Sequence, residues 1–167
     1  MSFTPKLLAA CTAVTIVLSG FNAAAFAGEG IEVHDAYARS SNPKAGAAFM
    51  MIHNHGETDD RLVGVSSDVA KLVHLHTHVE DENGVMKMMH VEDGFDLPAG
   101  GMVELKRGGN HVMFMGLADP FEQGETVPVT LIFENAGEVA VDVAIDHDRK
   151  AKHMDGHDHS EGHDHST

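Results

Sequence analysis

Residues 127–146 decide the fold of this chain and read Val127-Pro128-Val129-Thr130-Leu131-Ile132-Phe133-Glu134, Asn135-Ala136-Gly137-Glu138, Val139-Ala140-Val141-Asp142-Val143-Ala144-Ile145-Asp146. The first and last eight residues are apolar runs rich in β-branched side chains, which is typical of strands. Asn135-Ala136-Gly137 lies between them and is typical of a hairpin turn. The stretch therefore predicts two neighbouring antiparallel strands.

Short apolar runs of the same kind recur toward the N-terminus, separated by Gly, Pro, Asn and Asp. Asn83-Gly84 predicts a second hairpin, and the only helical candidate, around Ser67–Leu72, is at most a turn or two. Many short strands at this spacing predict an all-β fold, an antiparallel β-sandwich or barrel. The remaining strand candidates are Ile31–Arg39, Gly46–Asn54, Arg61–Ser66, Lys71–Val79, Val85–Glu92, Met102–Lys106 and His111–Leu117.

The first 27 residues are predicted to be a secretory signal peptide. Lys6 supplies the positive charge, Leu7–Leu18 is an apolar run of 12 residues, and Ala25-Phe26-Ala27 offers a cleavage site after Ala27. The run is too short for a membrane span, so no stable membrane insertion is expected after cleavage. The less favoured alternative is a lipoprotein signal ending at Cys11, which only a few apolar residues precede.

Charge and cysteine content narrow the function classes. The 167 residues carry a formal net charge of −15, which excludes binding to nucleic acid through clustered Lys and Arg. The single cysteine, Cys11, excludes an internal disulfide framework and a CxxC pair. Cleavage after Ala27 removes Cys11, and the loss of Lys6 takes the net charge from −15 to −16. A thiol-free exported protein suits an oxidising compartment, and we predict the periplasm.

Composition divides the mature chain into a β-domain, residues 28–146, and a tail, residues 147–167. The tail is too poor in aliphatic side chains to bury a core, so we predict that it is disordered. It repeats Gly-His-Asp-His-Ser at 156–160 and 162–166. Imidazole and carboxylate suit divalent ions of borderline softness such as Cu(II), Zn(II) or Ni(II), so we predict that the tail binds an ion of this kind. The predicted tail ligands are His147, His153, Met154, His157, His159, His163 and His165.

Three predicted strands place His and Met at every second position. Side chains at this spacing share one face of a strand. The sets are His74, His76 and His78; Met86, Met88 and His90; and His111, Met113 and Met115. Imidazole mixed with thioether, without thiolate, favours Cu(I), and the absent thiol excludes a blue-copper centre. Each methionine taken alone is more typical of core packing, so these patterns leave core packing and a copper site both open.

Several stretches resemble the periplasmic copper chaperone family often labelled PCuAC, in the family's order from about residue 31 to 135. They are Ala47–Asn54, Asp59–Ser67, Leu75-His76, Gly84–Met88, Leu97–Gly101 and His111–Leu117. The resemblance implies a cupredoxin-like β-sandwich that brings Cu(I) to a cuproprotein such as the binuclear copper site of cytochrome c oxidase, on subunit II, or to another copper chaperone. It also implies that a His- and Met-bearing C-terminal extension takes Cu(II).

The family's metal motif, H-x10-M-x21-H-x-M, falls on His76, Met88, His111 and Met113. The intervals here are x11 and x22, each one residue longer. If the extra residues lie in turns, around 82–83 and 92–94, the face is preserved. If they lie inside a strand, the side chain moves to the other face. The replacement ligands would then be His74, His78, Met86, His90 and Met115.

Enzyme classes are disfavoured, because the chain lacks H-E-x-x-H, G-x-S-x-G and a mature cysteine nucleophile. His53-x-His55 is the only other close histidine pair before the tail, and we interpret His53 as structural or near-surface. The alternatives are a zinc or nickel protein that uses the tail and the His74 to His78 face, or a structural domain with an incidental tail. We expect a monomer.

Overall fold

The computed structural model describes residues 30–150, apart from the side chain of Ser41. The predicted signal peptide, residues 1–27, and the tail from residue 151 lie outside the described residues. Within residues 30–150, the structure has no helix long and apolar enough to cross a membrane.

The described residues form ten strands, and the prediction of an all-β fold is confirmed. Nine of them match the predicted runs to within a few residues, and β6 is the strand that the sequence did not predict. The candidate helix contains a turn, and β4 begins at Ala70. The strands are β1 (Ile31–Asn42), β2 (Ala45–Asn54), β3 (Asp60–Ser66), β4 (Ala70–Glu80), β5 (Met86–His90), β6 (Phe95–Leu97), β7 (Met102–Leu105), β8 (His111–Leu117), β9 (Thr126–Phe133) and β10 (Gly137–Ile145).

The strands pair in the order β5-β4-β8-β2-β1-β10-β9-β3-β6, and β7 pairs with the second half of β2. Neighbours are antiparallel except for β1 and β10, which are parallel where Tyr37 faces Ala144. The sheet is therefore mixed. This one parallel contact joins the half that contains β2, β4, β5 and β8 to the half that contains β3, β6 and β9.

Both halves of the sheet contribute to one core, so the sheet folds over on itself. Ile52 of β2 and Phe114 of β8 are fully buried in the same cluster as Leu62 of β3 and Leu131 of β9. Alternate residues of β2 and β8 point into this core, which leaves the intervening residues on the outer face. That outer face carries Met51 and His53 of β2 and His111, Met113 and Met115 of β8, whereas Met50 points into the core.

The hairpin of residues 127–146 is held by a buried carboxylate. Asp60 accepts hydrogen bonds of 2.9 Å from the backbone N–H groups of Asn135 and Ala136. Burial alone would raise the pKa of Asp60, but these bonds favour the charged form and lower it below its usual range. Gly137 turns the chain with φ of 74°, a conformation that glycine adopts without strain. Asp60 thus fixes the turn that joins β9 to β10.

Candidate metal centre

Three adjacent strands, β5, β4 and β8, bring the predicted ligands to one face. On the central strand β4, His76 lies opposite His111 of β8 and opposite His90 of β5. The two methionines lie two pairs away from His76 in opposite directions along β4, Met113 opposite His74 and Met88 opposite His78. Directly opposed residues of antiparallel strands point to the same side. All four predicted ligands therefore share this face.

The turn between β4 and β5 explains why Met88 lies on this face despite the longer interval. Asp81 and Val85 still pair, since Asp81 N donates to Val85 O at 2.9 Å. Three residues form the loop between them, and Gly84 has φ of 77°. The Asp81 carboxylate fixes the loop by accepting from the backbone N–H groups of Asn83 and Val85. The alternation along β5 then puts Met88 beside the histidines and Met89 on the opposite face.

His76 lies in the middle of a cluster of five imidazoles. Its ring centroid is 5.9 Å from that of His111, 5.8 Å from that of His90 and 6.2 Å from that of His74. Both ring nitrogens of His76 are shielded from solvent and have no hydrogen-bond partner among the described residues. A buried polar group without a partner is costly and calls for an explanation. A metal ligand offers such an unbound lone pair, and the neighbouring imidazoles offer further ones.

His111 is held by its other nitrogen. Its Nδ1 donates to the carbonyl oxygen of Gly109 at 2.9 Å, which leaves Nε2 with the lone pair. The loop that carries Gly109 is pinned, because Lys106 N donates to Asn110 O at 2.7 Å and Gly109 N donates to Lys106 O. A carbonyl that orients a histidine in this way is the usual outer partner of a metal-binding imidazole. His111 is 2% exposed, so its orientation is also fixed by packing.

A cavity of about 250 Å³ opens beside Met88, His111 and Met113. Ala47 lies opposite Met113, and its small side chain leaves room at the floor of the cavity. Two cations, Arg39 and Arg107, line the same cavity. The cavity is completed by Gly46, Phe49, His78 and Gly108.

Burial lowers the pKa of both His76 and His111, and nearby imidazoles lower that of His76 further. The Gly109 hydrogen bond acts in the opposite direction on His111, but burial prevails. Both rings are therefore neutral at pH 7 and available as ligands. Neutral ligands next to two guanidinium groups disfavour a doubly charged ion more than a singly charged one. The arrangement suits a soft monovalent cation.

The structure also shows where the replacement ligands lie. His74 and His90 stack with ring centroids 4.3 Å apart, and His78 is 5.1 Å from His111, so all three belong to the cluster. Met86 and Met115 share the face but lie opposite Glu80 and Leu72 respectively. Each is thus four residues along its strand from the histidine opposite His76, which is two residues further than Met88 or Met113.

Sequence reasoning missed the residues that complete the cavity. Arg39, Phe49 and Arg107 come from β1, β2 and the loop before β8, and only the strand pairing brings them here. It also missed a group of Glu32, His34 and His55, whose ligand atoms lie within 4.8 Å of one another. Two i, i+2 pairs on consecutive strands, Glu32 with His34 and His53 with His55, were the available signal.

One predicted tail ligand, His147, lies within the described residues. Its Nε2 lies 3.1 Å from the carbonyl oxygen of Phe121, and its backbone N donates to Gln123 at 2.7 Å. Arg149 packs over the ring of Tyr37 at 4.4 Å and pairs with Asp35 at 3.2 Å. The other predicted tail ligands lie outside the described residues. Chain residues 147–150 are thus held on the domain, and the tail continues from there.

Comparison with known proteins places the chain in a sequence family and a fold. Residues 31–145 match the family described as "Putative lipoprotein LpqE-like". The protein described as "Putative lipoprotein Lxx21020" from Leifsonia xyli subsp. xyli is 32% identical over 155 residues, which is 87% of this chain and 93% of that one.

Among solved structures, the copper-bound PCuAC domain from PmoF2 is similar with a TM-score of 0.57 and 26% identity, over 70% of this chain and 92% of that one. The Cu(I) form of DR1885 from Deinococcus radiodurans is similar with a TM-score of 0.53 and 31% identity, over 74% of this chain and 85% of that one. The described residues therefore have a PCuAC-like fold.

Proposed function

The chain belongs to the LpqE-like lipoprotein family, and on that premise we propose that it is an exported copper chaperone. It takes up Cu(I) as cargo on the outer face of β4, β5 and β8 and passes it to a copper protein. The single observation that carries this proposal is His76, whose two ring nitrogens are buried among neighbouring imidazoles and have no partner among the described residues. The copper-bound and Cu(I) forms of similar domains support the choice of metal.

The proposed Cu(I) ligands are His76, Met88, His111 and Met113. Thioether sulfur is soft and uncharged and stabilises Cu(I) over Zn(II) or Cu(II). Met88 is 46% exposed, so one ligand lies at the protein surface. A carrier must release its cargo, and an exposed ligand on an edge strand can be displaced by an incoming ligand of the acceptor. We propose carriage rather than catalysis for this reason.

The acceptor is proposed to be a cuproprotein such as the binuclear copper site of cytochrome c oxidase, or another copper chaperone. The compartment is proposed to be the periplasm, with the signal cleaved after Ala27. The family name keeps open the alternative in which Cys11 carries a lipid. In either case no free thiol remains, because Cys11 is removed in the first case and its sulfur forms a thioether to the lipid in the second.

The tail is proposed to capture Cu(II) through its histidines and to hand the copper to the core after an external one-electron reductant has converted it to Cu(I). This is supported by the position from which the tail leaves the domain. Arg149 packs on Tyr37, and the ring of Tyr37 is 5.1 Å from that of Phe49, which lines the metal cavity. The tail therefore begins on the face that carries the cluster. A short tether of this kind gives an effective concentration of roughly millimolar.

Competitive Cu(I) titration of Met88→Leu and Met113→Leu tests the proposal. Leucine keeps the bulk and removes the sulfur, so we expect each change to weaken Cu(I) binding about tenfold or more, which corresponds to ~1.4 kcal/mol. Met89→Leu is the matched control. It is 52% exposed on the same strand but points to the other face, and its affinity should equal that of the parent. Undiminished affinity in both ligand variants would sink the thioether site.

One observation favours a second candidate, a zinc- or nickel-binding protein. The five clustered imidazoles include the stacked pair His74 and His90, which the Cu(I) set does not use. Metal content of the exported protein after growth with added copper or with added zinc separates the candidates. Copper in the first culture and little zinc in the second is expected of the chaperone.

A further inference from the structure

A second group of metal-binding side chains lies at the far end of β2. Glu32 and His34 occupy alternate positions of β1, and Glu32 is directly opposite His53 of β2. His55 follows two residues after His53, so it continues on the same face. This face is also the one that carries Ala47 at the floor of the cavity. Six residues of strand separate Ala47 from His53, which is roughly 20 Å.

Glu32 lies between two imidazoles and uses a different oxygen for each. Its Oε2 is 2.7 Å from Nε2 of His55, and its Oε1 is 3.3 Å from Nε2 of His34. The three ligand atoms all lie within 4.8 Å of one another. His53 packs against both rings, edge-on to His34 at 5.5 Å and stacked on His55 at 5.6 Å. One small movement of these exposed side chains brings two nitrogens and one oxygen onto a common ion.

The backbone that carries His55 is fixed. His55 N donates to Gly30 O at 2.7 Å. Gly30 has φ of 85°, and a Cβ at this position would lie only 2.9 Å from Gly56 N. The buried side chain of Asn54 accepts from Gly56 N and donates to the carbonyl oxygens of Thr58 and Leu97. Because both strands are held in register here, the donors are arranged before any ion arrives.

The donor set differs in softness from the cluster on β4, β5 and β8. Two imidazoles and a carboxylate suit divalent ions of borderline softness, and the Irving–Williams order ranks Cu(II) above Zn(II). The carboxylate also contributes a negative charge, whereas the four Cu(I) ligands are neutral. Met51 and Met102 lie opposite His34 and His53 on the same face, whereas the three ligand atoms within 4.8 Å of one another are two nitrogens and one oxygen. The chemistry therefore selects a divalent ion.

We propose that Glu32, His34 and His55 form a second metal site that binds Cu(II) in preference to Zn(II), with His53 packed against it. The site is independent of the Cu(I) cluster and stands whether or not the chain delivers copper to an acceptor. Because all three ligands come from the described β-domain, this site is a fixed Cu(II) position on the domain itself.

The test uses the full processed chain in which the five tail histidines beyond residue 150 are replaced by Asn, so that the tail does not compete. Substoichiometric Cu(II) is added, and paramagnetic broadening of the backbone amide signals is followed by NMR. We expect the amides of residues 32–34 and 53–56 to broaden. Zn(II) should shift the same amides without broadening, and Cu(II) should displace it.

The variants are Glu32→Gln and His55→Asn, both at exposed positions, so the fold is expected to persist and unchanged amide shifts elsewhere verify it. Each should weaken Cu(II) binding at this patch about tenfold or more. Glu57→Gln, an exposed neighbour outside the group, is the matched control and should bind as the parent does. Broadening that persists unchanged in both variants, or is absent from the patch in the parent, shows a surface ion pair only and overturns the proposal.

Discussion

At the scale of single residues, His76 distinguishes a functional histidine from a structural one. A buried histidine that is kept for stability finds hydrogen-bond partners for its ring nitrogens. His76 satisfies neither, and burial together with the surrounding imidazoles lowers its pKa. A bound metal ion would give one of these nitrogens a partner, which is why we propose His76 as a ligand.

We predict that His76→Leu stabilises the apo protein while it weakens Cu(I) binding. Leucine is apolar and removes a buried donor and acceptor that have no partners among the described residues, so the free energy of unfolding should rise by about 1 kcal/mol. Denaturant unfolding and competitive Cu(I) titration measure the two effects. A variant that loses stability and keeps its copper affinity would make His76 a packing residue.

At the scale of secondary structure, the face to which Met88 points depends on whether the extra residue between His76 and Met88 lies in a turn or inside a strand. The period-2 patterns of β4, β5 and β8 predicted the shared face, and the turn at 82–84 absorbs the longer interval. The short β6 was missed because three residues carry too little periodicity. The sequence did not predict the parallel contact of β1 with β10 or the proximity of Glu32 to His55. Both depend on the order of the strands in the sheet, which local residue patterns do not determine.

The turn gives a direct test of register. Deletion of Glu82 converts the three-residue loop into a two-residue Asn83-Gly84 loop, a favoured hairpin turn, and leaves Asp81 paired with Val85. We expect Cu(I) affinity to stay within about twofold of the parent. Insertion of one Thr between Lys87 and Met88 turns Met88 to the other face and should lower the affinity about tenfold or more. The insertion is combined with Met89→Leu, because the same shift turns Met89 onto the ligand face. Equal affinities in the two variants, measured by competitive titration, would show that Met88 is not a ligand.

At the scale of the whole molecule, the histidines divide into groups that differ in softness and in acidity. Burial lowers the pKa of both core histidines, His76 and His111, below the ordinary histidine value of about 6.5. Metals bind the unprotonated ring, so the core and the tail should lose metal at different pH.

We therefore predict that lowering the pH from 7.5 to 6 releases Cu(II) from the tail but leaves Cu(I) on the core. A folded pKa below that of the unfolded chain also means that apo stability is present above about pH 6.5 and is lost as the pH falls further. Metal titrations at both pH values, on the full chain and on a chain ending at Lys150, measure the difference. If the Cu(II) stoichiometry at pH 7.5 is the same for both chains, the tail does not bind Cu(II).

X-ray absorption at the copper edge of the Cu(I)-loaded full chain identifies the atoms bound to the metal and so tests the proposed Cu(I) ligands directly. We predict sulfur neighbours from Met88 and Met113 together with imidazole nitrogen neighbours from His76 and His111. The sulfur signal should fall by half in Met88→Leu or Met113→Leu and stay unchanged in Met89→Leu. A spectrum of nitrogen and oxygen neighbours alone would contradict this prediction.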